Sequence, residues 1–354
     1  REIMFKIKEL KEKLDLSNMY DSIIEFPEQI NIAFSIMDKW IPNRSYSDIN
    51  NILILGMGGS AISGDAARTL SQNECKIPIY VNRSYNIPAW VNEKTLIIAS
   101  SYSGNTEETL SAFNQCLDLN AFLIVITTGG SLKDLAIENS LDYINLPTGM
   151  QPRAAFVVSL SVILVALNKL KFIGNYIVKE LKQSYYDLVE SSNKLSNYIT
   201  KNSAVELANE IHEMCPVIYG SQNLTWVAAL RFKGQLQENA KMLAFHNTIP
   251  EQNHNEVEGW GCNPEILASK CIIWLKDKDD HPQILKRMDI TAELLSKYAG
   301  KQFTISKTGS TRLIRLLKLI QYLDWVSYYS ALLNNIDPSP VKKITELKQK
   351  LTSQ

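Results

Sequence analysis

A glycine-rich turn follows the apolar run NILIL, and a helix-favouring segment comes directly after it. The turn contains, in order, Gly56, Gly58, Gly59 and Ser60. Glycines permit a tight turn, and amides at a helix start, with a serine hydroxyl, can donate hydrogen bonds to an anion. The same pattern can bind a dinucleotide or pack tightly without a ligand. A dinucleotide is disfavoured, because Ala61 replaces the third glycine of GxGxxG and no acidic residue ends the next predicted strand, IPIYVNRS.

A second turn is rich in hydroxyl groups. The apolar run TLIIA ends in SSYSGNT, which places Ser101, Ser103 and Thr106 around Gly104, ahead of the acidic helix start EETL. Hydroxyls and backbone amides at the carboxyl end of a strand can hold a phosphate without any lysine. The alternative is an ordinary helix cap made by Thr106. Two such turns in one predicted domain favour a phosphate site.

Three further residues could move protons or stabilise charge. Glu238 lies on a predicted helix in KGQLQENAK, His254 lies in the polar run NHNEVEGW, and Arg153 precedes a long apolar helix in QPRAAF. Glutamate and histidine can serve as base and acid, and arginine can stabilise an oxyanion. The structural alternatives are a helix-face glutamate, a surface histidine and an arginine paired with a surface carboxylate. Asn253, Asn255 and Glu256, which share its polar loop, are able to fix the tautomer of the histidine.

The motifs of common metal sites are missing from the sequence. It contains no HxH, no HExxH and no clustered set of cysteine, histidine and carboxylate residues. Chemistry that depends on a bound metal, such as a metal-dependent hydride shift within a substrate, is therefore disfavoured. Neither a metal nor an organic cofactor is expected.

These residues must be positioned by alternating strands and helices. Mainly apolar runs that begin at residues 51, 77, 95, 121 and 142 alternate with helical stretches, and the runs are nearly uniformly apolar rather than alternating. This pattern predicts a parallel, doubly wound sheet covered by helices on both faces. A second series of strands is predicted from PVIYGSQ, CIIWLKDK and KQFTISKT.

Two domains are therefore predicted. The first covers residues 1–173 and includes the leading helices, a connecting helix covers 174–202, and the second domain covers 203–354 and ends in a helix that begins near Pro340. The same succession of a strand, a turn with glycine and serine, and a helix occurs twice, at Gly56 and at Gly220. This recurrence suggests a duplicated domain.

Composition excludes several classes of partner. The 354 residues contain 37 basic and 37 acidic side chains, so no overall field attracts nucleic acid or an anionic membrane. Five scattered cysteines without CxxC spacing favour a reducing compartment, and we expect a cytoplasmic protein. The N-terminal stretch reads as an amphipathic helix rather than a signal peptide. The longest apolar stretch, AAFVVSLSVILVALNKL, is predicted to be a buried helix rather than a membrane span.

The chain resembles a known family at these motifs. SYSGNTEET is similar to the phosphate signature of sugar-isomerase (SIS) domains, and GMGGSAISGD resembles the first turn of bifunctional phosphoglucose/phosphomannose isomerases. The resemblance continues through GMQPRAAF, RFKGQLQENAKMLAF, PEQNHNEVEGW and IDPSPVKKITELKQKL. It implies two doubly wound α/β SIS domains whose parallel sheets are flanked by helices.

The resemblance also implies roles for individual residues. The ligands of the substrate phosphate would be Gly59, Ser60, Ser101, Ser103 and Thr106. Glu238 would be the base that moves a proton between C2 and C1, Arg153 would stabilise the enediolate, and His254 would open the sugar ring from the neighbouring subunit of a homodimer. Lys348 would contact the ring oxygen.

The function expected from this resemblance is metal-free isomerisation of hexose 6-phosphates. Glucose 6-phosphate and mannose 6-phosphate would each be interconverted with fructose 6-phosphate. Another SIS isomerase, acting on an amino-sugar or heptose phosphate, and a non-catalytic sugar-phosphate sensor are the alternatives. The joint presence of Glu238, His254 and Arg153 argues against a sensor, and the absence of a helix-turn-helix or basic tail argues against a DNA-bound one.

Overall fold

The structure is a computed structural model that describes residues 2–198 and 200–352. Contacts divide the chain into two compact units. The N-terminal unit consists of residues 25–189 and 310–314, and the C-terminal unit consists of the residues up to 24, of 190–309 and of those from 315 onward.

The leading helices α1 (Glu2–Leu14) and α2 (Met19–Ile24) belong to the C-terminal unit. Tyr20 packs against Trp325 with 5.1 Å between ring centroids, and Asp15 accepts a hydrogen bond of 2.9 Å from the Tyr328 hydroxyl. The sequence prediction placed these helices with the N-terminal domain. Their aromatic and polar partners, Trp325 and Tyr328, lie near the end of the chain. The helical periodicity of the leading segment does not indicate which distant residues the helices will contact.

The N-terminal unit contains a parallel five-stranded sheet. Its strand order is β2-β1-β3-β4-β5, and every pair is parallel. The strands are β1 (Asn51–Leu55), β2 (Ile79–Asn82), β3 (Thr95–Ser100), β4 (Phe122–Thr127) and β5 (Asp142–Asn145). This arrangement confirms the predicted doubly wound α/β fold.

Helices lie before, between and after these strands in the chain. They are α3 (Glu28–Lys39), α4 (Gly58–Ser71), α5 (Glu107–Leu117), α6 (Gly130–Glu138), α7 (Phe156–Lys169) and α8 (Asn175–Ser196), the last of which continues into the C-terminal unit. Residues 156–167 of α7 are all buried, as predicted for the longest apolar stretch. No helix within residues 2–198 and 200–352 is long and apolar enough to cross a membrane.

The C-terminal unit contains a smaller parallel sheet with the order β7-β6-β8-β9. Its strands are β6 (Cys215–Ser221), β7 (Phe245–Ile249), β8 (Lys270–Leu275) and β9 (Lys301–Ile305). Strand β7 was not predicted, because FHNTI is a polar, mostly half-exposed edge strand. If β6 is matched with β1, the order reproduces that of the first four strands of the other sheet, which agrees with a duplicated domain.

The remaining helical segments follow α8 in the chain. They are α9 (Ser203–Glu210), α10 (Trp226–Glu238), two 3₁₀ turns (Glu251–His254 and Glu256–Gly259), α11 (Pro264–Ala268), α12 (Pro282–Leu295), α13 (Arg312–Leu333) and α14 (Lys342–Thr352). The predicted final helix is therefore present as α14.

Candidate active site

The two glycine-hydroxyl turns meet where the strand order reverses. Strand β1 pairs with β2 on one side and with β3 on the other, with Leu55 opposite Ala99. In open parallel sheets, this reversal creates a crevice at the carboxyl ends of the strands, where ligands bind. The turns are in close contact, because a Cβ atom on Gly56 would lie 3.0 Å from the Ser100 carbonyl oxygen. Glycine at position 56 permits this approach.

The first turn presents free amides at a helix start. Helix α4 follows Met57, which makes no side-chain cap, and the Met57 carbonyl accepts hydrogen bonds from the amides of Ser60 and Ala61 at 3.1 and 3.2 Å. The amides of Gly58 and Gly59 have no acceptor in the described part of the chain. Such amides, at the positive end of a helix dipole, are suited to an anion.

The second turn, residues 101–106, is here called the hydroxyl cup. Thr106 occupies the N-cap position of α5, but its side chain makes no cap hydrogen bond. The Thr106 hydroxyl oxygen instead lies 2.9 Å from the Ser101 hydroxyl oxygen. The Ser101 oxygen also accepts a hydrogen bond of 3.1 Å from the Gly104 amide. The Ser103 hydroxyl accepts the Asn105 amide at 3.2 Å. The helix-cap alternative for Thr106 is therefore wrong, and the hydroxyls shape the cup itself.

The loop after β4 fixes the shape of the hydroxyl cup. Gly104 has φ +71°, and a Cβ atom there would lie 1.7 Å from the Gly129 carbonyl oxygen. The Gly104 carbonyl accepts a hydrogen bond from the Leu132 amide, and the Asn105 side-chain oxygen accepts one from the Ser131 amide, both at 2.9 Å. The sequence analysis gave this loop no role, although a glycine pair between a strand and a helix signals a close backbone approach.

Tyr102 connects the hydroxyl cup to the segment that leads to Arg153. Its hydroxyl donates to the Pro147 carbonyl at 2.7 Å and accepts from the Met150 amide at 3.0 Å. Its carbonyl accepts the Thr128 amide at 3.1 Å. Burial raises the pKa of the Tyr102 phenol, so the hydroxyl stays protonated and available as a donor.

Arg153 is buried in the turn before α7, next to the first glycine turn. A Cβ atom on Gly59 would lie 2.8 Å from the Pro152 carbonyl oxygen and 3.4 Å from the Arg153 Cα atom. Gln29 holds the following residues, because its amide donates to the Ala154 carbonyl and accepts from the Val158 amide at 2.8 and 3.0 Å. The structure thus brings Arg153 together with the predicted phosphate ligands in the N-terminal unit.

Glu238 is the last residue of α10 and is half-buried. Lys241 donates to the Glu238 carbonyl at 2.5 Å, and the neighbouring Asn239 side chain donates to Ser327 at 3.0 Å. About two turns earlier on the same helix, the buried pair of Arg231 and Asp324 is joined at 3.0 and 2.7 Å. The end of this helix is therefore firmly anchored within the C-terminal unit.

His254 ends a 3₁₀ turn and is exposed. No described residue hydrogen-bonds its ring, and the residues predicted to set its tautomer bond elsewhere. Asn253 donates to Thr291 and Asn255 donates to Glu251, both at 2.9 Å, while Glu256 accepts from Asn247 and Tyr219 at 2.6 and 2.5 Å. The predicted tautomer contacts are therefore wrong within this chain. These side chains fold the loop that carries the histidine instead.

Lys348 lies on α14, where residues 342–351 are all exposed. It belongs to the C-terminal unit, as do Glu238 and His254.

Two parallel α/β sheets, with two hydroxyl and glycine turns at the reversal of strand order in the first, define a two-domain SIS protein. The SIS domain model matches residues 45–170, and the model described as the bacterial phospho-glucose isomerase C-terminal SIS domain matches residues 200–351. A domain of glucosamine-fructose-6-phosphate aminotransferase from Francisella tularensis has the same fold, with a TM-score of 0.73, 14% identity, and coverage of 91% of this chain and 98% of that one.

Curated relatives show the family. The bifunctional phosphoglucose/phosphomannose isomerase of Caldicellulosiruptor bescii is 41% identical over 342 residues, which cover 94% of this chain and 98% of the relative. The protein of the same name from Aquifex aeolicus is 36% identical over 309 residues, or 87% and 92% of the two chains. The chain belongs to the bifunctional phosphoglucose/phosphomannose isomerase family, which confirms the resemblance found in its motifs.

The close packing of the hydroxyl cup predicts that Gly104→Ala strongly destabilises the protein. The substitution combines left-handed backbone strain with a backbone clash, and we expect a loss on the order of 3 kcal/mol or more. Gly149→Ala is the matched control, because Gly149 has φ +97° with no atom within 4 Å of an added Cβ, so only the strain of about 1–2 kcal/mol remains. Urea unfolding of both variants gives the comparison. Equal losses would show that contact with Gly129 does not constrain the cup.

Proposed function

We propose that this protein interconverts glucose 6-phosphate and mannose 6-phosphate with fructose 6-phosphate, through metal-free proton transfer. Family membership over nearly the whole chain carries the proposal. The hydroxyl cup supports it, because Thr106 contacts Ser101 rather than capping α5. A sugar phosphate is an anion that such a cup can hold.

The substrate phosphate would be bound by neutral groups. The hydroxyls of Ser60, Ser101, Ser103 and Thr106 and the amides of Gly58 and Gly59 would donate hydrogen bonds to its oxygens. The hydroxyl protons can rotate, so the contact between Ser101 and Thr106 can be exchanged for contacts to phosphate. A binding site without lysine agrees with the balanced charge of the chain.

Isomerisation requires a base, an oxyanion stabiliser and an acid-base group for ring opening. In our proposal Glu238 takes the proton from C2 of the aldose and returns it to C1, while Arg153 stabilises the enediolate. His254 opens the ring, and Lys348 contacts the ring oxygen. Removal of a single oxyanion donor from an enzyme costs about 2.7–4 kcal/mol, and we expect a contribution of this order from Arg153.

The shared chemistry of the two aldoses explains why both would be substrates. Glucose and mannose 6-phosphates differ only in configuration at C2 and share one enediolate. Rotation about the C2–C3 bond before reprotonation would present either face of that intermediate to Glu238. Dual specificity then needs space for the rotation rather than a second catalytic base.

The exposure of His254 supports a homodimeric enzyme. A ring-opening histidine must reach the sugar, but within this chain the His254 ring has no hydrogen-bond partner among the described residues. The surrounding loop is nevertheless well ordered by Glu256, Asn247 and Tyr219. A fixed loop with an exposed imidazole fits a residue that is supplied to the neighbouring subunit. The five free cysteines agree with a reducing, cytoplasmic location.

The function is tested by a coupled assay of the EDTA-treated protein that follows fructose 6-phosphate. We expect comparable turnover of glucose 6-phosphate and mannose 6-phosphate. Turnover of glucose 6-phosphate alone would leave a monofunctional isomerase. Inactivity on both, with turnover of glucosamine 6-phosphate or a heptose phosphate, would favour the alternative isomerases, and binding without any turnover would favour a sensor.

The assignment of the base predicts that Glu238→Gln stops exchange of the C2 proton with solvent. We expect deuterium incorporation from D₂O, measured by NMR, to fall by about 10²–10⁴-fold, the usual contribution of a general base, while inorganic phosphate still binds. Glu293→Gln is the matched control, because Glu293 is an exposed glutamate on helix α12. Persistent exchange in Glu238→Gln would remove Glu238 as the base.

The proposed dimer predicts complementation between two inactive variants. When Glu238→Gln and His254→Ala subunits are mixed and allowed to exchange, a hybrid dimer with shared sites contains one intact site out of two. Random mixing should therefore restore about a quarter of the wild-type activity. If each subunit supplies its own histidine, every site in the hybrid carries one substitution, and activity stays at the level of the separate variants. Purified doubly tagged hybrids give the clearest measurement.

A further inference from the structure

A cationic cavity lies at the carboxyl ends of β8 and β9 in the C-terminal unit. Its volume is about 390 Å³. It is lined by three lysines and two hydroxyl residues, together with Asp277: Lys276, Lys278, Lys307, Ser306 and Thr308. The carboxyl edge of a parallel sheet is where open α/β folds bind ligands. None of these residues belongs to the proposed active site.

Lys307 is the central observation at this cavity. Its ammonium lies 3.4 Å from the centroid of the Tyr322 ring, and no described carboxylate pairs with it. Burial, and secondarily the charge of Lys318, lower the pKa of Lys307 to about 8, so the side chain is still mainly cationic at neutral pH. A partly desolvated cation without a counter-ion is costly, and an anion in the cavity would offset that cost.

The acidic side chains around the cavity are already engaged. Asp277 accepts two hydrogen bonds from Arg315, at 2.6 and 2.9 Å, and Asp279 accepts a third at 2.5 Å. Asp289 pairs with Lys276. These pairs leave Lys278 and Lys307 as cations without a carboxylate partner in the part of the chain that is described. The free positive charge therefore faces the cavity rather than a surface acid.

The two sheets can be compared strand by strand, and the carboxyl ends of their corresponding strands carry different side chains. Strands β6 and β8 correspond to β1 and β3 by their order in the sheets. In the C-terminal unit the crevice between them is closed by Asp280, which accepts hydrogen bonds from the Ser221 hydroxyl and the Asp277 amide. A carboxylate of the protein thus fills the position that corresponds to the hydroxyl cup. The lysine-lined cavity opens one strand further along, between β8 and β9.

We propose that this cavity is a second anion site, which binds a small phosphate monoester independently of the hydroxyl cup. The ammonium groups of Lys307 and Lys278 would neutralise the phosphate dianion, and the hydroxyls of Ser306 and Thr308 would donate hydrogen bonds to it. The volume leaves room for a small organic group beside the phosphate. The bound phosphate would take the place of the missing counter-ion of Lys307.

The site is tested with inorganic phosphate by calorimetry of the full chain at constant ionic strength in chloride. In a Ser101→Ala/Thr106→Ala background, which disables the hydroxyl cup, we expect about one phosphate per chain to remain bound. Addition of Lys307→Met should weaken this binding at least tenfold. Lys297→Met is the matched control, since Lys297 also stacks on a tyrosine, 5.0 Å from the Tyr298 ring, but does not line the cavity. Loss of all binding in the cup background alone would overturn the proposal.

A second measurement does not depend on the folding of any variant. Wild-type protein is labelled briefly with acetic anhydride at neutral pH, and acetylation of each lysine is read by mass spectrometry. Phosphate should protect Lys307 several-fold, both by occlusion and by raising its pKa, and should leave Lys297 unchanged. Equal labelling of Lys307 with and without phosphate would show that the cavity does not bind this anion.

Discussion

The candidate site depends on the parallel pairing of β1 with both β2 and β3. This pairing brings two chain segments to one edge of the sheet, where each must turn immediately into a helix. The turns then approach so closely that side chains are excluded at two points, Gly56 against Ser100 and Gly104 against Gly129. Glycine at these positions allows backbone amides and short hydroxyls, rather than bulky side chains, to form the crevice. The predicted ligands of the phosphate are a consequence of this geometry.

In the two proposals, the two halves of the chain would bind anions in different ways. In the N-terminal unit, helix-start amides and hydroxyls form a neutral site, whose donors are fixed by the backbone. In the C-terminal unit, Asp280 occupies the corresponding crevice, and the donors that line the neighbouring cavity are lysine side chains. A neutral site depends on geometry and discriminates by shape, whereas a cationic site acts through charge and is more sensitive to salt. The two proposals together would give one duplicated fold a specific anion site and a more general one.

Much of the fold could be predicted because it follows from local patterns. The strands at the centre of the first sheet, β1, β3 and β4, are mainly apolar runs, and their alternation with helices indicates a parallel sheet. Strand β7 could not be predicted in this way, since an edge strand need not be apolar. The attachment of α1 and α2 to the C-terminal unit rests on contacts of Asp15 and Tyr20 with residues more than 170 positions away. Periodicity within a segment carries no information about such partners.

The candidate site was predictable to the extent that its chemistry lies in short motifs. Ser101, Ser103 and Thr106 fall within six residues, and their types alone suggest a phosphate. The tautomer contacts of His254 were wrong because neighbours in sequence were assumed to be neighbours in space. Asn253, Asn255 and Glu256 instead bond to Thr291, Glu251 and Tyr219. The role of Tyr102 was missed for the same reason, because its partners lie more than forty residues away.

Tyr102 and Gln29 together show how Arg153 is held relative to the phosphate ligands. Tyr102 sits within the hydroxyl cup and bonds to the backbone at Pro147 and Met150, while Gln29 bonds to the backbone at Ala154 and Val158. The arginine is therefore fixed from both sides through the main chain. An oxyanion donor is most effective when it needs no reorganisation as charge develops, and a guanidinium on a flexible loop would lose that advantage. The rigidity of this short turn, rather than the arginine alone, is what suits the N-terminal unit to the proposed chemistry.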